Sequence, residues 1–187
     1  MIDPVRGGSR KLDQGRPTRF VVTPTGVRVA YAIVGQGPAL VVPAAWIGHL
    51  EIAWQDPAVR AFYAPLAACR TVVAYDKPGC GLSDPWPGPQ TLDSDLEVLR
   101  AVIDHLELGR VDLLGLSMGA PVSLAYAVQR PEGVGRLILY GGFAKPPDRR
   151  PAGDRGTLGR GTPGAHPPAA WREVTRPDRH LVGLRPR

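Results

Sequence analysis

Short apolar runs, separated by turns rich in glycine and proline, divide the first 140 or so residues into alternating segments. Six runs have the length and the β-branched content of strands: 19–22, 27–33, 39–42, 71–75, 111–114 and 136–140. The first two are joined by Thr23-Pro24-Thr25-Gly26, which predicts an antiparallel hairpin. The other four are continuous apolar runs, typical of parallel strands that are buried on both faces.

Helices are predicted between the later strands. Asp56-Pro57 supplies one helix with a capping carboxylate and a proline at its first position. A helix of about 14 residues begins after Thr91 or Asp93 and stops at Gly109. Its apolar stripe is Leu92, Leu96, Leu99, Val102, Ile103 and Leu106. The apolar run 122–128 is a further helix, ended by Pro131. This order predicts an α/β fold with a mostly parallel, doubly wound sheet and an N-terminal antiparallel hairpin.

The sequence VDLLGLSMGA at 111–120 places a serine between two glycines, where a strand is followed by a helix. In this context G-x-S-x-G predicts a nucleophile elbow, a sharp turn that displays the hydroxyl of Ser117. Such a turn needs an unfavourable backbone conformation at the serine, and it crowds Gly115 and Gly119 together. The helix that follows directs free N–H groups towards the hydroxyl.

Three loops follow the ends of predicted parallel strands, at 43–49, 76–84 and 115–119. Ligands of parallel sheets bind at the carboxyl ends of the strands. We therefore expect these loops to converge on one site.

Charge is unevenly distributed along the 187 residues. The formal net charge is +6, but residues 145–187 hold ten of the 23 Lys and Arg and only four of the 17 acidic residues. This segment is rich in Arg, Pro and Gly and has little apolar material to bury, so we expect a disordered basic tail. Residues 1–17 are also expected to be disordered, which leaves 18–144 as the folded domain. Because the body is neutral and the tail has Trp171 as its single aromatic residue, we do not expect specific nucleic-acid binding.

The cysteine spacing and the lack of long apolar runs bear on the expected cellular location. Cys69 and Cys80 have neither disulfide-framework nor metal-ligand spacing, and no apolar run is long enough to span a membrane. The first 16 residues lack the apolar stretch of a signal peptide. We expect a cytoplasmic protein that has no membrane association, metal or cofactor.

Several stretches together resemble the α/β-hydrolase superfamily, and more narrowly the hydrolase-like domains found alone or fused to adenylate cyclase and transcriptional-regulator modules. They are GVRVAYAIVGQGPALVV (26–42), WIGHLEIAWQDP (46–57), YDKPGCGLSD (75–84) and GLSMGAPVSLAYAVQRPEGVGRLILYGG (115–142). The resemblance covers about two thirds of the chain. It implies that Ser117 is the nucleophile and that the backbone N–H of Met118 is one oxyanion-hole donor. It places the second donor in the loop after the third strand, where we assign Trp46. The loop 76–84 matches a mainly structural motif, with Pro78 where the family usually has Arg.

The family pattern continues with a cap and two further strands, which carry an acidic residue and then a histidine. Residues 145–187 have no strand pattern, so we expect a domain that is C-terminally truncated, lacks the cap and the last two strands, and has an incomplete triad. His180 is the nearest candidate for the base, and His166 is weaker. We expect a structural or pocket-lining role for His49 and a surface or packing role for His105. We expect turn-stabilising carboxylates at Asp76 and Asp84, packing roles for Trp46 and Trp54, and no special reactivity at Cys80.

Three functions remain open. The family resemblance implies hydrolysis of small ester-like acyl compounds by Ser117, impaired in this chain if the triad is absent. The tail, whose composition resembles an out-of-frame reading of a GC-rich gene, would then belong to a truncated or frameshifted enzyme. A working hydrolase could instead be completed by His180 or by a second chain. The third function is a non-catalytic ligand-sensing or interaction module of a regulatory protein, in which a small molecule or a fused regulatory module is the partner.

Overall fold

The structure, a computed structural model, describes residues 18–142. The predicted disordered segments 1–17 and 145–187 lie outside these residues, as do His166 and His180. The six strands are β1 (Arg19–Val22), β2 (Arg28–Val34), β3 (Ala39–Val42), β4 (Thr71–Tyr75), β5 (Val111–Leu116) and β6 (Val134–Tyr140). The helices are α1 (Leu50–Gln55), α2 (Pro57–Ala67), α3 (Leu92–His105) and α4 (Gly119–Gln129), and a 3-10 turn covers Pro131–Gly133.

The described strands form one mixed sheet in the order β1-β2-β4-β3-β5-β6. The predicted hairpin is present, since β1 and β2 pair antiparallel, and β2 then pairs antiparallel with β4. From β4 onward every neighbouring pair is parallel. Strands β3, β4 and β5 therefore end at the same edge of the sheet, and the loops that follow them can meet there.

Both faces of the sheet are covered, because alternate residues of each strand point to opposite sides. On one side Val41, Val73 and Leu113 join a cluster with buried apolar residues of α3 and α4, among them Leu99 and Val122. On the other side Leu40 and Leu114 belong to a smaller cluster against α2. Burial on both faces is what the continuous apolar runs of the central strands predict.

The 14-residue helix is present as α3, but its buried face differs in detail from the predicted stripe. Thr91 begins it with a capping box: its side chain accepts from the N–H of Ser94, whose hydroxyl accepts from the N–H of Thr91. Leu92, predicted to be buried, is 45% exposed because it lies in the first turn, and Val98 is buried instead. The cap fixes where the helix begins, and the sheet decides which side chains it covers.

The segment before α2 holds a helix that the sequence pattern did not predict. Residues 50–55, interpreted as loop, form α1, which His49 caps weakly through Nδ1 at 3.5 Å from the N–H of Ile52. None of the α1 side chains is buried, and six residues are too few for a helical period to be recognised in the sequence. The predicted capping role of Asp56 is confirmed, since its carboxylate accepts from the N–H of Ala58 at 2.8 Å.

The last described strand is less buried than its sequence predicts. Residues 136–140 are an apolar run, yet burial alternates along β6, and Ile138 and Tyr140 are 47% and 72% exposed. The reason is position, because β6 is the outermost strand on its side of the sheet within residues 18–142. Within the described residues, β6 thus presents an apolar parallel edge.

Candidate active site

Ser117 occupies the turn between β5 and α4 in a strained backbone conformation. Its φ is +48°, and among the described residues only Glu107 shares a positive φ without being glycine. The N–H of Ser117 donates to the carbonyl of Tyr140 on β6 at 3.0 Å, and its own carbonyl accepts from the N–H of Ala120 at 3.0 Å. The turn is thereby held from both sides, and the serine remains exposed at the end of a buried strand.

The glycines on either side of Ser117 are required by close packing. A Cβ at Gly115 would lie 2.7 Å from the Cα of Ala120 and 2.8 Å from the Oγ of Ser123. A Cβ at Gly119 would lie 2.6 Å from the carbonyl oxygen of Pro43. The predicted crowding of the two glycines is confirmed, since a Cβ at Gly115 would also lie 3.1 Å from the carbonyl oxygen of Gly119, and the loop after β3 crowds Gly119 further.

The three predicted loops do converge, on a pocket of about 680 Å³ that includes Ser117 and the whole segment 42–50. Its remaining wall is mostly apolar and comes from α2 and from the ends of β4, β5 and β6, with Val59, Phe62, Tyr63 and Leu116 among the lining residues. Trp46 and Ile47 are at the rim, 64% and 80% exposed. The expected packing role of Trp46 is therefore wrong, because the loop holds its side chain away from the core. Trp54 is in contact with Tyr63, with ring centroids 6.3 Å apart.

The backbone N–H groups of Met118 and Trp46, which the resemblance implies as oxyanion-hole donors, have no partner within residues 18–142. Met118 is the N-cap of α4 and has no side-chain cap, and its N–H forms no hydrogen bond to another described residue. The same holds for the N–H of Trp46 in the loop after β3. The contact of Gly119 with Pro43 brings this loop against the first turn of α4. Free N–H groups at such a place can bind a developing negative charge.

A buried carboxylate lies beneath the loops. Asp76 is 2% exposed; its Oδ1 accepts from the N–H of Leu50 at 2.9 Å and its Oδ2 from the N–H of Leu82 at 3.0 Å. Burial raises the pKa of Asp76, while the two N–H donors and the nearby His49 oppose the rise and Glu51 adds to it. Asp84, by contrast, forms an exposed pair with Arg28 at 3.3 Å. The sequence predicted turn-stabilising roles for both, but the link from Asp76 to α1 was missed because it joins residues 26 positions apart.

No described histidine hydrogen-bonds to Ser117. His49 lines the pocket, but its Nδ1 faces the N-terminus of α1. His105 packs its ring against Tyr31, with centroids 5.8 Å apart, as expected for a packing residue. Cys80 is half-buried in the loop 76–84 and does not line the pocket. Among residues 18–142, the structure therefore shows no histidine base hydrogen-bonded to Ser117.

Comparison with known proteins bears on the identity of the fold. Residues 38–172 match the family described as the alpha/beta hydrolase fold. The chain belongs to this family. The 2-hydroxy-6-oxononadienedioate/2-hydroxy-6-oxononatrienedioate hydrolase of Escherichia coli (strain K12) is 33% identical over 123 residues, which are 62% of this chain and 40% of that protein.

Solved structures of the α/β-hydrolase family agree with the assignment. A hydrolase from Pseudomonas aeruginosa PA01 superimposes with a TM-score of 0.59 at 29% identity, over 67% of this chain and 46% of that one. The enol-lactonase from Burkholderia xenovorans LB400 gives a TM-score of 0.55 at 25% identity, over 64% and 45%. The chain thus spans less than half the length of these relatives. Their names are those of hydrolytic enzymes, and none of them supports the alternative of a ligand-sensing module.

Two further findings concern the described part of this α/β-hydrolase domain. None of its helices is long and apolar enough to cross a lipid bilayer. Between residues 18 and 142, no group of three or more His, Cys, Asp or Glu side chains is arranged to hold a metal ion.

Proposed function

We propose that this α/β-hydrolase cleaves small ester-like acyl compounds through a covalent acyl intermediate on Ser117. The observation that carries the proposal is the strained, exposed turn at Ser117, which opens into a mostly apolar pocket of about 680 Å³. A serine is held at positive φ only at some cost, and such strain is concentrated at functional sites. The names of the relatives, which include hydrolases and an enol-lactonase, support a hydrolytic reaction.

In the proposed reaction, the Oγ of Ser117 attacks the substrate carbonyl carbon and the carbonyl oxygen becomes negative. The N–H groups of Met118 and Trp46 donate to this oxygen, which stabilises the tetrahedral intermediate. The alcohol or enol then leaves with the proton that Ser117 lost, and water releases the acyl group as an acid. The apolar wall of Val59, Phe62 and Leu116 favours an acyl group with an uncharged body.

Proton transfer requires a base, and no histidine within residues 18–142 hydrogen-bonds to Ser117. A serine hydroxyl is a weak nucleophile when no base is in contact with it. We propose that the base comes from His180 of this chain or from a second chain, and that activity is low in the isolated chain if neither reaches Ser117.

The experiment is hydrolysis of p-nitrophenyl butyrate by the protein and by Ser117→Ala. We expect kcat/KM to fall by at least about 100-fold in the variant, since removal of the nucleophile leaves only binding and the oxyanion donors. The control is Ser94→Ala, which removes a serine hydroxyl from the cap of α3, away from the pocket, and should leave the rate unchanged. Equal rates for the protein and Ser117→Ala would refute the proposal. The variant His180→Ala tests whether His180 acts as the base.

A further inference from the structure

The loop that carries Trp46 is attached to the sheet at both of its ends, by neighbouring residues at the carboxyl end of β4. At the far end, the carboxylate of Asp76 accepts from the N–H of Leu50, the first residue of α1. At the near end, the backbone N–H of Ala44 is directed at the hydroxyl of Tyr75, where it acts to lower the pKa of that hydroxyl. Because successive residues of a strand point to opposite sides, Tyr75 and Asp76 reach the two ends of one loop.

The Asp76 carboxylate is enclosed by backbone on two sides. Its second oxygen accepts from the N–H of Leu82, and a Cβ at Gly81 would lie 2.1 Å from that oxygen, so the loop 76–84 wraps tightly around it. A Cβ at Gly48 would lie 3.9 Å from the other oxygen. Each oxygen therefore has its own N–H donor, and a side chain with a single acceptor oxygen cannot serve both.

Tyr75 is equally constrained. It is 6% exposed, and burial raises the pKa of its hydroxyl, with the negative charge of Asp95 acting in the same direction. Asp95 is itself paired with Lys77, whose Nζ lies 2.8 Å from its carboxylate. The hydroxyl thus stays neutral and is available as a partner for the N–H of Ala44.

We infer that Tyr75 and Asp76 are positioning residues, which hold the segment 44–50 so that the N–H of Trp46 faces the oxygen of a substrate bound at Ser117. The inference rests on the proposed function. It adds residues to the site that neither contact the substrate nor take part in bond making. Between the two attachments the N–H groups of residues 45–49 donate to no described residue, so one of them is free to bind an oxyanion.

The first test is amide hydrogen exchange, which does not depend on activity. In Asp76→Asn, one of the two N–H donors meets an amide NH₂ instead of an oxygen, so exchange at Leu50 or Leu82 should become at least about tenfold faster. Tyr75→Phe should accelerate exchange at Ala44. Amides in α3 should be unaffected in both. The matched control is Asp84→Asn, in the same loop but 44% exposed and paired only with Arg28. Unchanged exchange at Leu50, Leu82 and Ala44 would overturn the inference.

The second test is the division between kcat and KM for p-nitrophenyl butyrate. Loss of an oriented oxyanion donor weakens transition-state binding, so Asp76→Asn and Tyr75→Phe should lower kcat by about tenfold or more and change KM by less than about twofold. A purely structural role would instead reduce the folded fraction and leave the kcat of the folded enzyme unchanged.

If exchange accelerates while kcat per folded molecule stays the same, the positioning role is refuted. If the protein and Ser117→Ala hydrolyse the ester equally, the proposed function fails, while the exchange data still decide whether Tyr75 and Asp76 anchor the loop. Should Asp76→Asn not fold, Tyr75→Phe, which removes one hydroxyl, provides both readouts.

Discussion

Replacement of Gly115 by alanine is the most direct test of how the elbow is built. The added methyl carbon would lie 2.7 Å from the Cα of Ala120 and 2.8 Å from the Oγ of Ser123. Comfortable contacts between such atoms are about 3.5–4.0 Å, so the first turn of α4 must move away from β5 by nearly 1 Å. Ser123 is fully buried and its hydroxyl donates to the carbonyl of Gly119 at 2.8 Å, so it cannot simply rotate away.

The expected cost follows from what is known of overpacked interiors. Inserting a methyl group where backbone must yield destabilises by about 1–3 kcal/mol, and we expect the upper part of this range because one of the clashing atoms is a Cα. For a chain of this size, that corresponds to a fall in Tm of roughly 5–9 °C. Movement of α4 also displaces the N–H of Met118, so ester turnover should fall with stability.

Thermal unfolding followed by circular dichroism measures the effect, and Gly133→Ala is the control. A Cβ at Gly133 would have its nearest contact at 3.7 Å, and its φ is not positive, so this variant should unfold within about 1 °C of the parent protein. If Gly115→Ala unfolds at the same temperature as Gly133→Ala, the elbow is not as tightly packed as the structure indicates, and the reasoning is wrong.

Four further predictions concern strain, charge and edges. Ser117→Gly should be more stable than Ser117→Ala by about 1 kcal/mol in urea unfolding, because glycine adopts the φ of +48° without strain. Asp112→Ala should cost about 1–2 kcal/mol by the same measurement, since its carboxylate accepts from Arg70 at 2.9 Å and is only 12% exposed. Ile138→Lys should reduce concentration-dependent light scattering, because a charge on the exposed edge strand β6 opposes strand pairing between molecules. Burial raises the pKa of Asp76, so folding favours its protonated form. The stability of the protein relative to Asp76→Asn should therefore be greatest below pH ~4 and should fall as the pH rises through the raised pKa. If urea titrations at several pH values show no such fall, the raised pKa of Asp76 is contradicted.

The sequence by itself determined the strands, the central helices and the elbow. Period and length distinguish buried strands from amphipathic helices, and Thr91 and Asp56 mark helix starts through local hydrogen bonds that need no tertiary information. The motif around Ser117 was recognisable because it lies within ten consecutive residues and its geometry is set by neighbours in the chain.

Only the tertiary structure decided which groups surround that serine. Two contacts join segments that are far apart in sequence: that of Gly119 with Pro43, and the hydrogen bond from the N–H of Leu50 to Asp76. These segments meet because the parallel strands end together. The exposure of Trp46 likewise depends on how the loop after β3 is placed. The half-exposed strand β6 has the composition of a buried strand. Composition shows the polarity of the side chains, but it does not show how many neighbouring strands cover them. Local chemistry therefore fixes the elements and the turn at Ser117, whereas long-range packing decides which segments line the pocket.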